Sequence, residues 1–168
     1  MNPYRNNSRA RILYVCQAGL IAALYTVLTC AIGAFGLASG AIQLRVSEAL
    51  CVLPFFTPAA IPGLTVGCLI SNLLTGCIWQ DILFGTLATL IGALGARLLR
   101  RWIWAVPLPT VAANTLIVPF VLAYGYKFED GLPYLMLTVG IGEVLSAYLL
   151  GMILLLSLRK SGNRIFYK

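Results

Sequence analysis

Residues 43–63 read QLRVSEALCVLPFFTPAAIPG, and they place two charged residues, Arg45 and Glu48, three positions apart ahead of an apolar run. The run is interrupted at residues 57–63, where two prolines each remove a backbone donor and predict a turn. As an α-helix, residues 46–56 would span only about 17 Å, less than the roughly 30 Å hydrocarbon core of a bilayer. The stretch therefore predicts either two short membrane spans or one hairpin that enters the membrane from outside.

The composition around this stretch decides the class of protein. The chain has 168 residues, of which 60% are hydrophobic and 10% charged, and its mean hydropathy is +0.91. These values lie outside the range of soluble domains. One helical span needs about 20 apolar residues, so the chain has room for several spans and for no sizeable soluble domain. We predict an all-α integral membrane protein with a single transmembrane domain, residues 1–168.

Apolar stretches separated by prolines, polar residues or charges give the spans. The first stretch, with basic residues before it, also fits a signal peptide, but it exceeds the usual apolar core of about 7–15 residues. We therefore expect a retained span. The predicted spans are residues 12–35, 46–57, 63–78, 82–97, 102–124 and 132–158.

The basic residues predict the orientation, because cytoplasmic loops and ends are enriched in Lys and Arg. Of the twelve basic residues, three precede the first span, three lie in residues 97–101 and four lie in the tail. The opposite side has only Arg45 and Lys127. Both termini are therefore predicted to be cytoplasmic, which requires an even number of spans. The charge pattern does not separate six from four, and we favour six.

Several functions are excluded or disfavoured by what the sequence contains. The net charge of +7 comes from the flanking basic clusters that explain the orientation, so we expect no nucleic-acid partner. There is no histidine and no GxxxxGK[ST] loop, which argues against His-based catalysis and P-loop ATP hydrolysis. The five cysteines have no metal-type spacing and are predicted to be packing residues. We expect no cofactor, no metal and no enzymatic activity.

Charged residues at membrane depth are the informative ones, because a charge there costs between about 2.5 and 10 kcal/mol or more. Of the five acidic residues, Glu129 and Asp130 are predicted to lie in an external loop. Glu48, Asp81 and Glu143 lie in or at the ends of apolar segments. Such acids either line a substrate site or form buried pairs that hold helices together.

Arg45 is the least expected of these charges, since it is a cation at a helix N-terminus on the side poor in basic residues. It requires a specific partner, which we expect to be Glu48, Glu143 or a ligand. The alternative is a salt bridge that only fixes the loop. Asn72 and Asn114 add amides that either converge on the same site or bridge helices.

Small residues at four-residue spacing predict close helix contacts. Ala18 and Ala22 share one face of the first span, and Gly63 and Gly67 share a face of the third. The spacing alone indicates helix packing.

Two stretches resemble a known family: IQLRVSEALCVLPFFTPAAIPGLTVGCLISNLLTG at residues 42–76 and DILFGTLATLIGAL at residues 81–94. They are similar to the QueT family of substrate-binding (S) components of energy-coupling-factor (ECF) transporters, assigned to queuosine precursors. The resemblance implies six transmembrane helices with both ends cytoplasmic in a bacterial plasma membrane. It also implies partners: a transmembrane coupling subunit and two cytoplasmic ATPases. An AxxxA docking motif of that class corresponds here to Ala18 and Ala22.

The implied ligands are 7-deazaguanines, whose guanine-like edge offers two adjacent donors to one carboxylate. Glu48 or Glu143 is the expected carboxylate, with Arg45 and Glu48 shaping or closing the pocket. Asp81, Asn72 and Asn114 are further candidates for polar contacts, and Trp79, Phe55 or Tyr148 is a candidate for stacking on the ring. The predicted substrate site consists of Arg45, Glu48, Asn72, Trp79, Asp81, Asn114 and Glu143.

Two other functions remain open at this point. The chain could be an S component for another small heterocyclic vitamin, or a stand-alone proton-coupled carrier, because intramembrane acids are common proton sites.

Overall fold

The computed structural model describes residues 3–34, 45–127 and 130–162, and within these ranges the chain is helical and has no strand. The α-helices are α1 (Pro3–Ala34), α2 (Ala60–Leu74), α3 (Trp79–Leu98), α4 (Leu108–Phe120), α5 (Leu132–Glu143) and α6 (Gly151–Gly162). A 3₁₀ helix (Val46–Phe55) precedes α2, and two short 3₁₀ turns (Leu99–Arg101 and Ile103–Ala105) join α3 to α4. π-helical segments follow α4 (Val121–Gly125) and join α5 to α6 (Val144–Leu150).

The lengths and the surfaces of the helices fit a bilayer. Four helical stretches in the described ranges are long and apolar enough to cross a membrane: Ser8–Ala34, Trp79–Arg101, Ile103–Gly125 and Leu132–Ser161. The 3₁₀ helix and α2 are apolar but shorter. Large apolar side chains are exposed along the outward faces, as expected where lipid replaces water. The prediction of an all-α membrane protein is confirmed, whereas the number of spans and the sides of the termini stay predictions.

The turn between the 3₁₀ helix and α2 is shorter than the sequence predicts. The expected turn covered residues 57–63, but the chain turns at residues 56–59 and α2 begins at Ala60. Pro62 lies in the first turn of α2, where a helical N–H has no intrahelical acceptor. The proline therefore starts a helix here instead of breaking one.

Three charged residues of the predicted topology lie outside the described residues. They are Glu129 of the predicted external loop, and Arg164 and Lys168 of the tail.

Small residues bring α1 and α2 into close contact. A Cβ atom added to Gly63 would lie 2.8 Å from the carbonyl oxygen of Ala18. One added to Gly67 would lie 2.8 Å from the Cβ atom of Tyr25 and 2.9 Å from the carbonyl oxygen of Ala22. The backbones therefore approach more closely than any larger residue would allow. This contact fixes the position of Tyr25, one turn beyond Ala22.

The 3₁₀ helix occupies the centre of the bundle, with residues 47–52 all buried. At a rise of about 2.0 Å per residue its ten residues span about 20 Å. A 3₁₀ helix is closed by hydrogen bonds between residues i and i+3. The backbone N–H of Glu48 donates to the carbonyl of Arg45 across 2.9 Å, so Arg45 is the N-cap of this helix and Glu48 lies in its first turn.

Two ends of the bundle are distinguished by their contacts. At the Asp81 end, where α2 ends and α3 begins, the backbone N–H of Ile78 donates to the hydroxyl of Tyr126 at 3.4 Å. At the opposite end, the Arg97 end, the guanidinium of Arg97 donates to the carbonyls of Pro54 (3.0 Å) and Phe55 (3.4 Å). The 3₁₀ helix therefore runs from one end of the bundle to the other.

The π-helical segments lie beside unusual residues. Pro119 lacks a backbone N–H and sits two residues before the π-helical turn that follows α4. Glu143 is the last residue of α5, at the junction with the π-helical segment. Local π-helix in an α-helix is frequent at functional sites. Its position here singles out Glu143.

Candidate functional site

Polar side chains meet in the interior of the bundle, on the side of the Asp81 end. We call them the polar cluster: Tyr25, Arg45, Glu48, Asn72, Asp81, Asn114 and Glu143. All are buried except the half-buried Arg45, and the three acids are 1–6% exposed. They come from α1, the 3₁₀ helix and α2 to α5, so residues distant in sequence converge at one place. Six of the seven predicted substrate-site residues lie in this cluster.

Arg45 pairs with Asp81, so the prediction of Glu48 or Glu143 as its ion-pair partner is wrong for the described residues. Its guanidinium lies 3.8 Å from Oδ2 of Asp81, which is in the first turn of α3. The hydroxyl of Tyr126, in the segment after α4, donates to the same oxygen across 3.1 Å. A carboxylate is also stabilised in the first turn by the helix dipole. Asp81 therefore links three segments and covers the cluster at the Asp81 end.

Tyr126 remains a hydrogen-bond donor under ordinary conditions. Burial, and next the carboxylate of Asp81, raise the pKa of the Tyr126 hydroxyl above its usual value. The proton therefore stays on the hydroxyl well into the alkaline range.

Asn72 and Asp81 lie side by side. The amide Nδ2 of Asn72 donates to the backbone carbonyl of Asp81 at 3.4 Å and lies 3.7 Å from Sγ of Cys68. A Cβ atom at Gly85 would lie 3.2 Å from Oδ1 of Asp81 and 3.3 Å from Nδ2 of Asn72. Glycine at position 85 therefore leaves room for this contact between α2 and α3.

Glu48 and Glu143 form the acidic centre of the cluster. The side chain of Asn114 lies close enough to interact with both carboxyl groups. The hydroxyl of Tyr25 donates to Oε1 of Glu48. In this cluster Oε2 of Glu48, Oε2 of Glu143 and Oδ1 of Asp81 are buried without a hydrogen-bond partner among the described residues. A buried acceptor without a partner is costly, so these oxygens are the acceptors that a donor of a ligand would satisfy.

Trp79 lies apart from the cluster. It is 66% exposed and lines an apolar surface groove of about 310 Å³, together with Leu69 and Leu83. Two residues along an α-helix turn the side chain by about 200°. Trp79 therefore points outward where Asp81 points inward, and its predicted stacking role stays a prediction without support from this geometry.

A family model described as QueT transporter matches residues 15–160. The chain belongs to the QueT transporter family. One relative, named Queuosine precursor transporter QueT, from Lactococcus lactis subsp. cremoris (strain MG1363), is 34% identical over 146 residues. The match covers 80% of this chain and 86% of the relative. No solved structure matches the chain.

The polar cluster has the groups that a transporter of polar small molecules needs. The described residues of this QueT family member contain no group of His, Cys, Asp or Glu side chains able to hold a metal ion. The cluster offers carboxylate and amide acceptors beside one ion pair. Such a site can bind a polar small molecule with hydrogen-bond donors.

Ala18 and Ala22 contact α2 within the chain. Ala22 is 7% exposed, and both alanines lie against the glycines of α2. On the adjacent face of α1, Gly19 and Ala23 are exposed. A Cβ atom added to Gly19 would have no described atom of another helix within 4 Å. The predicted docking role of Ala18 and Ala22 stays a prediction.

Tyr25 and Tyr126 are two residues of the site that the sequence does not predict. Tyrosine in a span ordinarily indicates packing or an interfacial anchor. A signal for Tyr25 was present, because it lies on the same helical face as Ala18 and Ala22, which predicts a contact with α2. Tyr126 follows a glycine in a predicted loop, and nothing in its surroundings indicated its contact with Asp81.

Proposed function

We propose that the protein is the substrate-capture subunit of an ATP-driven ECF importer of queuosine precursors in a bacterial plasma membrane. The observation that carries the proposal is the pair of buried carboxyl groups, Glu48 and Glu143, each with an oxygen that has no hydrogen-bond partner in the part of the chain that the structure describes. The name of the Lactococcus relative supports queuosine precursors as the class of substrate.

The chemistry of a 7-deazaguanine complements this pair. The guanine-like edge carries an N–H and an amine side by side, and a carboxylate accepts from both. The side chain of Asn114 lies close to both Glu48 and Glu143 and can serve the neighbouring carbonyl. Because Arg45 is paired with Asp81, the two glutamate side chains are left as acceptors for the ligand. An aminomethyl group supplies a positive charge.

We further propose six membrane crossings with both ends in the cytoplasm. The end of the 3₁₀ helix and the turn after it contact two long spans. The hydroxyl of Thr57 donates to the side chain of Gln17, six residues after Arg11, across 2.9 Å, and Arg97, at the basic end of α3, donates to the carbonyl of Pro54. These contacts support a turn at the cytoplasmic surface. The 3₁₀ helix and α2 would then be two short spans instead of a re-entrant hairpin.

Energy coupling is assigned to separate subunits: a transmembrane coupling protein and two cytoplasmic ATPases. The absence of a P-loop from the sequence supports this division. Helix α1 is the proposed docking element, with the AxxxA pair Ala18 and Ala22. Ala18 and Ala22 face α2, so a partner protein could contact them only if α1 separated from α2. Gly19 and Ala23, on the adjacent face, are exposed without such a movement.

Calorimetric titration of the purified chain in detergent tests the proposal. We expect 7-aminomethyl-7-deazaguanine to bind, and Glu48→Gln or Glu143→Gln to weaken binding about 10- to 100-fold, the value of a hydrogen bond to a charged group. Asp130→Asn makes the same change at an exposed acid and should leave affinity unaltered.

The outcomes separate the alternatives. Binding of riboflavin or another vitamin in place of any deazaguanine would keep the capture role and refute the substrate. Uptake of a deazaguanine in cells that lack all ECF ATPases would favour the proton-coupled carrier.

A further inference from the structure

Tyr25 lies in the apolar middle of α1 and is 2% exposed. Its hydroxyl donates to Oε1 of Glu48, whereas Oε2 of the same carboxylate has no partner among the described residues. One oxygen of Glu48 is thus held from the α1 side, and the other is left for a different donor.

The placement of Tyr25 depends on the close contact between α1 and α2. A Cβ atom added to Gly67 would lie only 2.8 Å from the Cβ atom of Tyr25. One turn further along α1, the hydroxyl of Thr29 donates to Oγ of Ser47 across 2.8 Å. Two neighbouring hydrogen bonds therefore join one face of α1 to the start of the 3₁₀ helix, and only that of Tyr25 involves a charged group of the site.

We propose that Tyr25 is a positioning residue that orients the carboxylate of Glu48 toward the ligand. This inference rests on the proposed function. The terminal torsion of a glutamate is broad and weakly restricted, so an untethered carboxylate loses rotational freedom when it binds. A donor on Oε1 sets the carboxylate plane beforehand, which removes part of that entropic cost.

The choice of a tyrosine is informative. A phenol donates a hydrogen bond without bringing a positive charge. It therefore orients Glu48 without forming an ion pair with it, whereas a lysine or arginine at the same place would. Arg45, the cation of the cluster, is engaged with Asp81.

Tyr25→Phe tests the inference, because it keeps the ring and removes only the hydroxyl. We expect binding of 7-aminomethyl-7-deazaguanine to weaken about tenfold or more, in the range of a hydrogen bond to a charged group. Thr29→Val is the matched control, since it removes the neighbouring α1 hydrogen bond without touching Glu48. It should change affinity less than about threefold, although both variants lower thermal stability.

A double-mutant cycle measures the coupling between Tyr25 and Glu48 in ligand affinity, which a merely structural role of Tyr25 would not produce. If Tyr25 acts through Glu48, Tyr25→Phe should have little further effect on affinity in a Glu48→Asp protein, whose shorter side chain withdraws from the hydroxyl. Glu48→Asp by itself should cost at least as much as Tyr25→Phe, because it also withdraws the carboxylate from the ligand. If Tyr25→Phe does not fold, Gly67→Ala provides the test, because a Cβ atom there would displace Tyr25 from Glu48.

Three results would overturn the inference: equal affinities of Tyr25→Phe and wild type, equal losses in Tyr25→Phe and Thr29→Val, or independent losses in the cycle. In each of them the wild type still binds the deazaguanine, and the proposed function stands. A wild type that binds no deazaguanine refutes the proposed function instead, and the positioning role falls with it.

Discussion

At the scale of single residues, Arg97 combines two roles. It belongs to the basic cluster of residues 97–101 that predicts a cytoplasmic loop. Its guanidinium also donates to the carbonyls of Pro54 and Phe55 at the end of the 3₁₀ helix. Carbonyls at a helix C-terminus lack intrahelical partners and carry partial negative charge. Arg97 therefore satisfies the end of the helix that carries Glu48.

Loss of this contact should destabilise the protein. We expect Arg97→Gln to lower the free energy of unfolding by about 1 kcal/mol, below the full value of a charged hydrogen bond because Arg97 is half-buried. Thermal unfolding in detergent measures the change. Arg100→Gln removes the same charge at an exposed position and should have an effect within about 0.5 kcal/mol. Equal effects in both variants would attribute the loss to charge alone.

Part of the site was predictable from single residues, because a charged side chain inside a membrane is unfavourable in free energy and is seldom present without a role. This argument predicts Glu48, Asp81 and Glu143, and the structure brings all three together. Tyr25 carries no such cost in an apolar helix, so burial of its hydroxyl against Glu48 became visible only with the tertiary contact. Trp79 failed to join the cluster because helical phase, and not proximity in sequence, decides which side chains face inward.

At the scale of elements, the contact between α1 and α2 positions the site, and Gly67 is its tightest point. A Cβ atom there would meet Ala22 and Tyr25 within 3 Å, so Gly67→Ala must separate the helices. We expect a loss of about 1–3 kcal/mol in the free energy of unfolding and weaker deazaguanine binding, because Tyr25 moves away from Glu48. Thermal unfolding and calorimetry measure the two effects.

Gly19→Ala is the matched control for this prediction. It introduces the same methyl group on α1 into open space, and alanine favours a helix over glycine by about 0.5–1 kcal/mol. Stability should therefore be unchanged or higher. A Gly67→Ala protein as stable as Gly19→Ala would show that the α1–α2 contact is loose.

The existence of the helices was predictable, but their local type was not. Apolar length and the prolines predict helices and a turn around residues 57–63. They do not predict that residues 46–55 form a 3₁₀ helix, because that choice depends on burial among α1, α3 and α6. Pro119 gives a local reason for the π-helical turn after α4, whereas nothing in the sequence around Glu143 indicated the second π-helical segment.

At the scale of the whole molecule, the contacts of the two ends predict a labelling pattern. In a cysteine-free background, Lys127→Cys should react with a membrane-impermeant maleimide in intact cells. Arg100→Cys and Pro58→Cys should react only after permeabilisation, because the proposed topology puts both in the cytoplasm. All three positions are exposed in the structure.

The Pro58→Cys result decides between the two topologies. Labelling from inside fits six spans, since the turn then reaches the cytoplasmic surface. Labelling from outside, with Arg100→Cys still protected, would establish a re-entrant hairpin and four spans. The matched position Lys127→Cys controls for access of the reagent.

The three-residue period of the 3₁₀ helix has a consequence for how such a chain can diverge. Arg45 is the N-cap of this helix, and its carbonyl accepts from the backbone N–H of Glu48, three residues on. Inserting or deleting a single residue between them would rotate one against the other by about 120°, so Arg45 would lose Asp81 or Glu48 would lose Tyr25. A substitution alters one contact and leaves the register intact. We therefore expect relatives with other ligand preferences to differ in this segment by substitutions, and not by insertions or deletions.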